Sequence, residues 1–199
     1  MTLELGGNDA AIVLADADPA KVADRLFGSA FRNCGQLCMA PKRVYVEQPI
    51  YQLLVDELAA RARNSMVGDG RDPNTQLGPL SNRPQYERVL GLAESARADG
   101  AKIHRGDRPL PAGGYFVAPS IVTGLEDGHP LVDEEQFGPI LPVIAVSDAA
   151  TGVARANRSN FGLGGSIWTS DTARGAALAA QLESGSRSEE RRVGKECRS

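Results

Sequence analysis

With 199 residues, 42% of them hydrophobic and 24% charged, the chain can bury a core, so disorder by composition is excluded and one large domain, or one plus a remnant, is expected. The 22 Lys and Arg against 25 Asp and Glu leave a net charge of -3 with no basic stripe, which argues against a nucleic-acid partner, and no apolar run approaches the ~20 residues that cross a bilayer. Cys34, Cys38 and Cys197 cannot form an even disulfide set, and MTLELGGNDA shows no basic stretch leading into an apolar one, so a reducing, cytoplasmic setting is expected.

The pattern then alternates strand and helix signals. Asp9 to Ala15 is a short apolar run, and the turn Asp16-Ala17-Asp18-Pro19 opens a helix whose apolar positions, Val22, Leu26, Phe27 and Ala30, recur every three or four residues until Gly35. Lys42 to Gln48 alternates apolar and polar residues as a half-buried strand does. Pro49 then starts a second helix carrying Leu53, Leu54, Leu58 and Ala59. A loop rich in Gly, Asp, Asn and Pro runs from Gly68 to Pro84, and a helix follows over about Gln85 to Ala98. Ala101 to His104, Tyr115 to Val122, Ile140 to Val146 and Leu163 to Thr169 read as strands, with a helical pattern at Ala149 to Ala156. Strands separated by helices of this length need crossover connections. The fold class is therefore α/β with a mostly parallel sheet.

From Arg187 to Ser199 the composition breaks: RSEERRVGKECRS has one aliphatic residue, and its first four residues match the translation of a common sequencing-adapter oligonucleotide. The segment is expected to be foreign and is set aside from fold reasoning. Removing its five basic and three acidic residues leaves 17 against 22, a net of -5, and takes Cys197 out of the chemistry.

Three segments could carry chemistry. Asn33-Cys34-Gly35-Gln36-Leu37-Cys38-Met39-Ala40 lies between a helix and a strand, where a loop can present a thiol from a rigid scaffold, although a loop cysteine is often no more than a small apolar residue. Two cysteines four apart, with no further Cys or adequate His set nearby, make no zinc site. Glu4-Leu5-Gly6-Gly7 sets a carboxylate beside flexible backbone at the edge of the first strand, and Asp133-Glu134-Glu135 runs into Gln136-Phe137-Gly138-Pro139, whose Gly-Pro enforces a turn. Asn160 to Gly165 is glycine-rich but lacks the strand-before, helix-after setting of a phosphate cradle and is assigned to packing. His104 and His129 fit no catalytic partnership.

Together, and in this order, these segments resemble the aldehyde dehydrogenase superfamily over Thr2 to about Gly185. Glu4 to Gly7 is similar to its glutamate signature, Phe31 to Ala40 to its cysteine signature, and Glu134 to Pro139 to its nicotinamide-side motif, with 34 residues from Glu4 to Cys38 and 97 from Cys38 to Glu135. The resemblance puts Cys38, not Cys34, at the nucleophile. It implies thiolate attack on an aldehyde, hydride transfer to NAD or NADP, and hydrolysis of the thioester by water activated by Glu4. Glu135 would hold the nicotinamide ribose and Phe137 would pack near the ring. No metal is implied. Asn8 stands where many relatives carry Lys. Gln85 and Arg88 could touch the adenosine portion of the cofactor.

By the same resemblance, residues 1–8 end an NAD-binding domain that is otherwise missing, 9–186 are a catalytic domain truncated at its C-terminus, and 187–199 are adapter-derived. The full-length protein would be a homodimer or homotetramer acting on a small-molecule aldehyde, and the fragment would have little or no activity. A CoA-acylating relative is the alternative within enzymes, disfavoured by Glu4. A non-catalytic binding or structural protein on the same fold is the alternative outside them.

Overall fold

The computed structural model describes residues 5–190, apart from the side chains of 188–190. Strands β1 (Asp9–Val13), β2 (Pro41–Glu47), β3 (Lys102–Arg105), β4 (Ser120–Thr123), β5 (Ile140–Val146), β6 (Gly164–Trp168) and β7 (Ser186–Glu190) form one seven-stranded sheet in the order β3-β4-β5-β2-β1-β6-β7. Every pairing is parallel except the edge hairpin of β3 with β4. Helices α1 (Pro19–Ala30), α2 (Gln48–Asn64), α3 (Arg83–Ala98), α5 (Ala149–Asn157) and α6 (Thr172–Ala179), with the single turn α4 (Pro130–Asp133), supply the connections. The α/β class with a mostly parallel sheet expected from the alternation is the one observed.

Local chemistry explains the helix starts. Asp18, Asn82, Asp148 and Asp171 each cap a helix, their side-chain oxygens accepting amide N–H groups of the first turn at 2.8 to 3.3 Å, and Pro19 and Pro84 sit where a missing N–H costs nothing. The central strands are apolar and buried along their length, as a parallel sheet covered on both faces requires. Pro142 is tolerated inside β5 because it falls where the ladder to β4 ends and the ladder to β2 begins.

Four features differ from the sequence expectation. Strand β2 is buried on both faces, not half-buried, because α1, α2 and α5 pack against it in the middle of the sheet; Lys42, Arg43 and Glu47 go into the interior with hydrogen-bond partners. The strand expected over Tyr115 to Val122 begins only at Ser120 and runs to Thr123, since the Tyr115 carbonyl accepts from Leu80 N instead and Pro119 has no N–H to give. Helix α6 was not anticipated, and it buries only Gly175 and Ala179, too little to leave an apolar period. Strand β7 takes its backbone from residues 186–190, into the segment set aside as foreign, because a ladder on β6 asks nothing of side-chain pattern. Residues 191–199 lie outside the described residues.

Candidate active site

The segment carrying Cys38 begins where α1 stops. Phe31 caps the helix by donating its N–H to the Phe27 carbonyl, and the chain then takes three consecutive left-handed residues, Asn33 (φ 50°), Cys34 (φ 59°) and Gly35 (φ 75°). Such conformations cost about 1–2 kcal/mol for a residue with a Cβ, so the surroundings must enforce them. Hydrogen bonds do so. Asn33 Nδ2 donates to the Gln36 carbonyl and Gln36 Nε2 to the Asn33 carbonyl, while buried Gln36 Oε1 accepts both N–H and Oγ–H of Ser81 at 2.8 and 2.7 Å. From below, the Lys42 ammonium, 2% exposed, donates to the carbonyls of Gly35 and Leu37. Burial lowers the Lys42 pKa, while the carboxylates of Glu135 and Asp9 and the Cys38 thiol act to raise it.

The segment around Glu135 packs directly on this loop. A Cβ at Gly35 would collide with the Gly138 carbonyl, its carbon lying 2.7 Å away. Gln136 is buried and its Nε2 donates to the carbonyls of Lys42 (2.7 Å) and Ile140 (2.9 Å), pinning the segment to the start of β2. Phe137 is a further left-handed residue (φ 46°), and Lys42 Nζ stands 5.4 Å from its ring centre. Gln85 and Arg88 face this segment too. Gln85 donates to the carbonyls of Gln136 and Phe137, and Arg88 pairs with Glu134 and donates to the Glu135 carbonyl, so α3 works as a brace.

The third segment closes the arrangement. Gly7 N–H donates to Glu135 Oε1 at 3.2 Å, and the space a Gly6 side chain would need is filled by the Glu135 carboxylate. A Cβ on Gly7 would stand 2.6 Å from the Cys38 carbonyl oxygen. Backbone without side chains is thus required at both glycines, so that the start of the chain can lie between Glu135 and Cys38. Glu4 itself lies outside the described residues. Asn8, at the position where Lys was noted in relatives, is buried and donates to the Val132 carbonyl.

Cys34 and Cys38 separate cleanly. Cys34 is 1% exposed in the core, and burial pushes its thiol up to about 12, whereas Cys38 is partly exposed between Leu37 and the 68%-exposed Met39. Asp9, at the start of β1, is also buried; burial raises its pKa to about 6, opposed by the Gly164 N–H that donates to it at 2.9 Å. Sequence reading passed over Asp9, Gln36, Lys42 and Gln136; in the linear chain they look like ordinary polar residues beside turns. Neither histidine joins the site. His104 sits on the edge strand β3, and His129 Nδ1 accepts from Leu131 N at the start of α4. Among the described residues, no group of three or more His, Cys, Asp or Glu could hold a metal ion, and no helix is long and apolar enough to cross a membrane.

A partly exposed thiol, a carboxylate three strands away in sequence but brought close in space, and a diglycine between them suit covalent chemistry beside a bound hydroxyl-bearing group. Comparison with known proteins points the same way. The model of the aldehyde dehydrogenase family matches residues 1–189. The chain is 38% identical over 190 residues to 2-hydroxymuconic semialdehyde dehydrogenase of Pseudomonas putida, covering 93% of this chain and 39% of that protein, and 40% identical over 162 residues to a probable aldehyde dehydrogenase of a Pseudomonas species (81% and 33%). Among solved structures, an aldehyde dehydrogenase from Bacillus cereus in complex with NAD+ superposes with a TM-score of 0.88 at 36% identity, over 94% of this chain and 38% of that one. An NADP-dependent glyceraldehyde-3-phosphate dehydrogenase from Bacillus halodurans, complexed with NADP, gives 0.87 at 31% identity, over 98% and 40%. The chain therefore spans roughly a third to two fifths of the length of the relatives it matches.

Proposed function

Because the chain belongs to the aldehyde dehydrogenase family, we propose that it forms the catalytic part of an NAD(P)+-dependent enzyme that oxidises an aldehyde to a carboxylic acid through a covalent intermediate on Cys38. The observation that supports this most directly is the meeting of three sequence-distant segments at Gly6 and Gly7, one side against the Glu135 carboxylate and the other against the Cys38 backbone.

In this reading the Cys38 thiolate adds to the aldehyde carbon and gives a thiohemiacetal, whose oxyanion is met by backbone N–H at Cys38. Loss of hydride leaves a thioester, and Glu4 takes a proton from the water that cleaves it, releasing the acid and the thiolate. A cysteine suits both halves because a thiolate adds readily and leaves acceptably. The residues present fit a dinucleotide's reactive end: Glu135 offers acceptor oxygens for ribose hydroxyls, Phe137 an aromatic face, and Leu5, 71% exposed, an apolar side chain one residue before the Gly6 that packs on Glu135. NAD(P)+, when bound, supplies the hydride acceptor. Lys42 and Gln36 hold the nucleophile loop in its left-handed turn, and Gln136 and Gln85 hold Glu135 and Phe137 against it.

Peptide-resolved alkylation tests the nucleophile. With iodoacetamide near neutral pH, Cys38 is expected to react at least ten times faster than Cys34, whose thiol sits near 12. Equal labelling in the folded chain would remove Cys38 from the role. In a full-length enzyme carrying this segment, Glu4→Gln is expected to accumulate acyl-enzyme detectable by intact mass; unchanged steady-state turnover would remove Glu4. The 199-residue chain alone is expected to form little or no NADH with a broad aldehyde panel.

A further inference from the structure

Lys42 is a buried ammonium that ends beneath the nucleophile loop, where it donates to the carbonyls of Gly35 and Leu37. Taking an ammonium out of water is costly, and neutral groups can hold a loop, as Gln36 and Ser81 already hold this one. A buried cation at this point therefore calls for a role beyond tethering. The carboxylates of Glu135 and Asp9 act to keep it charged, and the centre of the Phe137 ring stands 5.4 Å from it.

Its second acceptor gives the role. The Leu37 carbonyl belongs to the peptide unit whose nitrogen is that of Cys38, and its oxygen accepts from Lys42 Nζ and also from Ala40 N at 3.2 Å. A cation on a peptide oxygen draws electron density through the C–N resonance, which leaves the N–H at the other end of the unit a stronger donor. That N–H is the one that meets the oxyanion in the reading above. Among the described residues nothing accepts from it, so it is free for a substrate oxygen.

We propose that Lys42 is a positioning residue for aldehyde oxidation: acting through the Leu37–Cys38 peptide, its ammonium strengthens the N–H that stabilises the oxyanion formed on Cys38. Lys42 does not itself touch substrate. The proposal rests on Cys38 being the nucleophile. Because a buried cation also favours a negative sulfur, supply of thiolate has to be separated from stabilisation of the oxyanion.

Two reagents make that separation on the chain as it stands, without cofactor. p-Nitrophenyl acetate acylates a thiolate through a tetrahedral oxyanion, the new C–S bond displacing p-nitrophenolate. Iodoacetamide alkylates the same thiolate by displacing iodide and builds no charge on an oxygen. Initial rates at Cys38, read by peptide mass across pH, give the rate of the thiolate itself with each reagent, and their acylation-to-alkylation ratio is compared with that of free cysteine. An oxyanion donor is worth about 10²–10³ in rate and polarisation about 10–30% of a hydrogen bond, so Lys42→Gln and Lys42→Met are expected to lower the ratio about two- to eightfold. Lys42→Arg, which keeps the charge, is expected to retain most of it. Ser81→Ala loosens the loop with the ammonium in place and is expected to slow both reagents alike; thermal unfolding confirms that each variant is folded. A ratio in the unmodified chain no higher than that of free cysteine would overturn the proposal. So would a ratio unchanged in a folded neutral variant, or one that falls equally in Ser81→Ala. Alkylation of Cys38 no faster than that of Cys34 would instead bring down the nucleophile assignment on which it rests.

Discussion

Replacing Gly35 by alanine tests whether the Cys38 loop and the Glu135 segment are truly locked together. Two costs apply. The residue is at φ 75°, where a Cβ costs about 1–2 kcal/mol. The new methyl would also be driven into the backbone of Gly138, whose carbonyl carbon is 2.7 Å from its position; a backbone neighbour cannot rotate away, and overpacking of this kind costs about 1–3 kcal/mol. The expected loss is therefore about 2–5 kcal/mol, large against a typical domain stability of about 5–15 kcal/mol. Gly128→Ala is the internal control: its φ is 99°, but nothing lies within 4 Å of the added carbon, so only the conformational cost should appear. Urea unfolding gives both values, and Cys38 alkylation reports the site, which should slow in the first variant and not in the second. Equal destabilisation by the two substitutions, with Cys38 reacting as before, would refute the packing of the two segments.

Asp9 predicts a pH signature. Its folded pKa is raised from 3.8 to about 6, so the native state binds this proton more tightly than the unfolded chain does; the stability it contributes is complete below about pH 4 and is lost as pH rises through 6. The ceiling on that loss is about 3 kcal/mol. Asp9→Asn, which keeps an oxygen for the Gly164 N–H, should flatten stability between pH 4 and 6 and raise it by about 1–3 kcal/mol at pH 8; a variant with the wild-type slope would count against the burial reasoning. On the exposed side of α3, Gly91 has open space about it, so Gly91→Ala should stabilise the chain by about 0.5–1 kcal/mol in the same urea assay; a loss would show an unsuspected contact there.

Much of the fold can be read in one dimension because its causes are local. The Asp18-Pro19 start of α1, the four-residue spacing of Val22, Leu26 and Ala30, and the unbroken apolar run of β5 depend on neighbours a few residues away, and all three appear where the pattern puts them. Cys38 and Glu135 likewise fall outside the helices and strands, in the connecting segments. Elements without a side-chain period, α6 and the edge strand β7, left no such trace.

The interior charge of the site belongs to the other category. Lys42 and Arg43 occupy a strand whose alternation reads as half-exposed, and only the packing of α1, α2 and α5 against the middle of the sheet takes it away from water. Gln36, Gln136 and Asp9 become important for the same reason: a polar side chain removed from solvent must find partners, and here those partners come from segments up to 155 residues away. Motif and helix boundaries follow from short-range chemistry. Which polar groups are desolvated, and which partners they then find, follows from how distant segments pack, and the chain order carries no record of it.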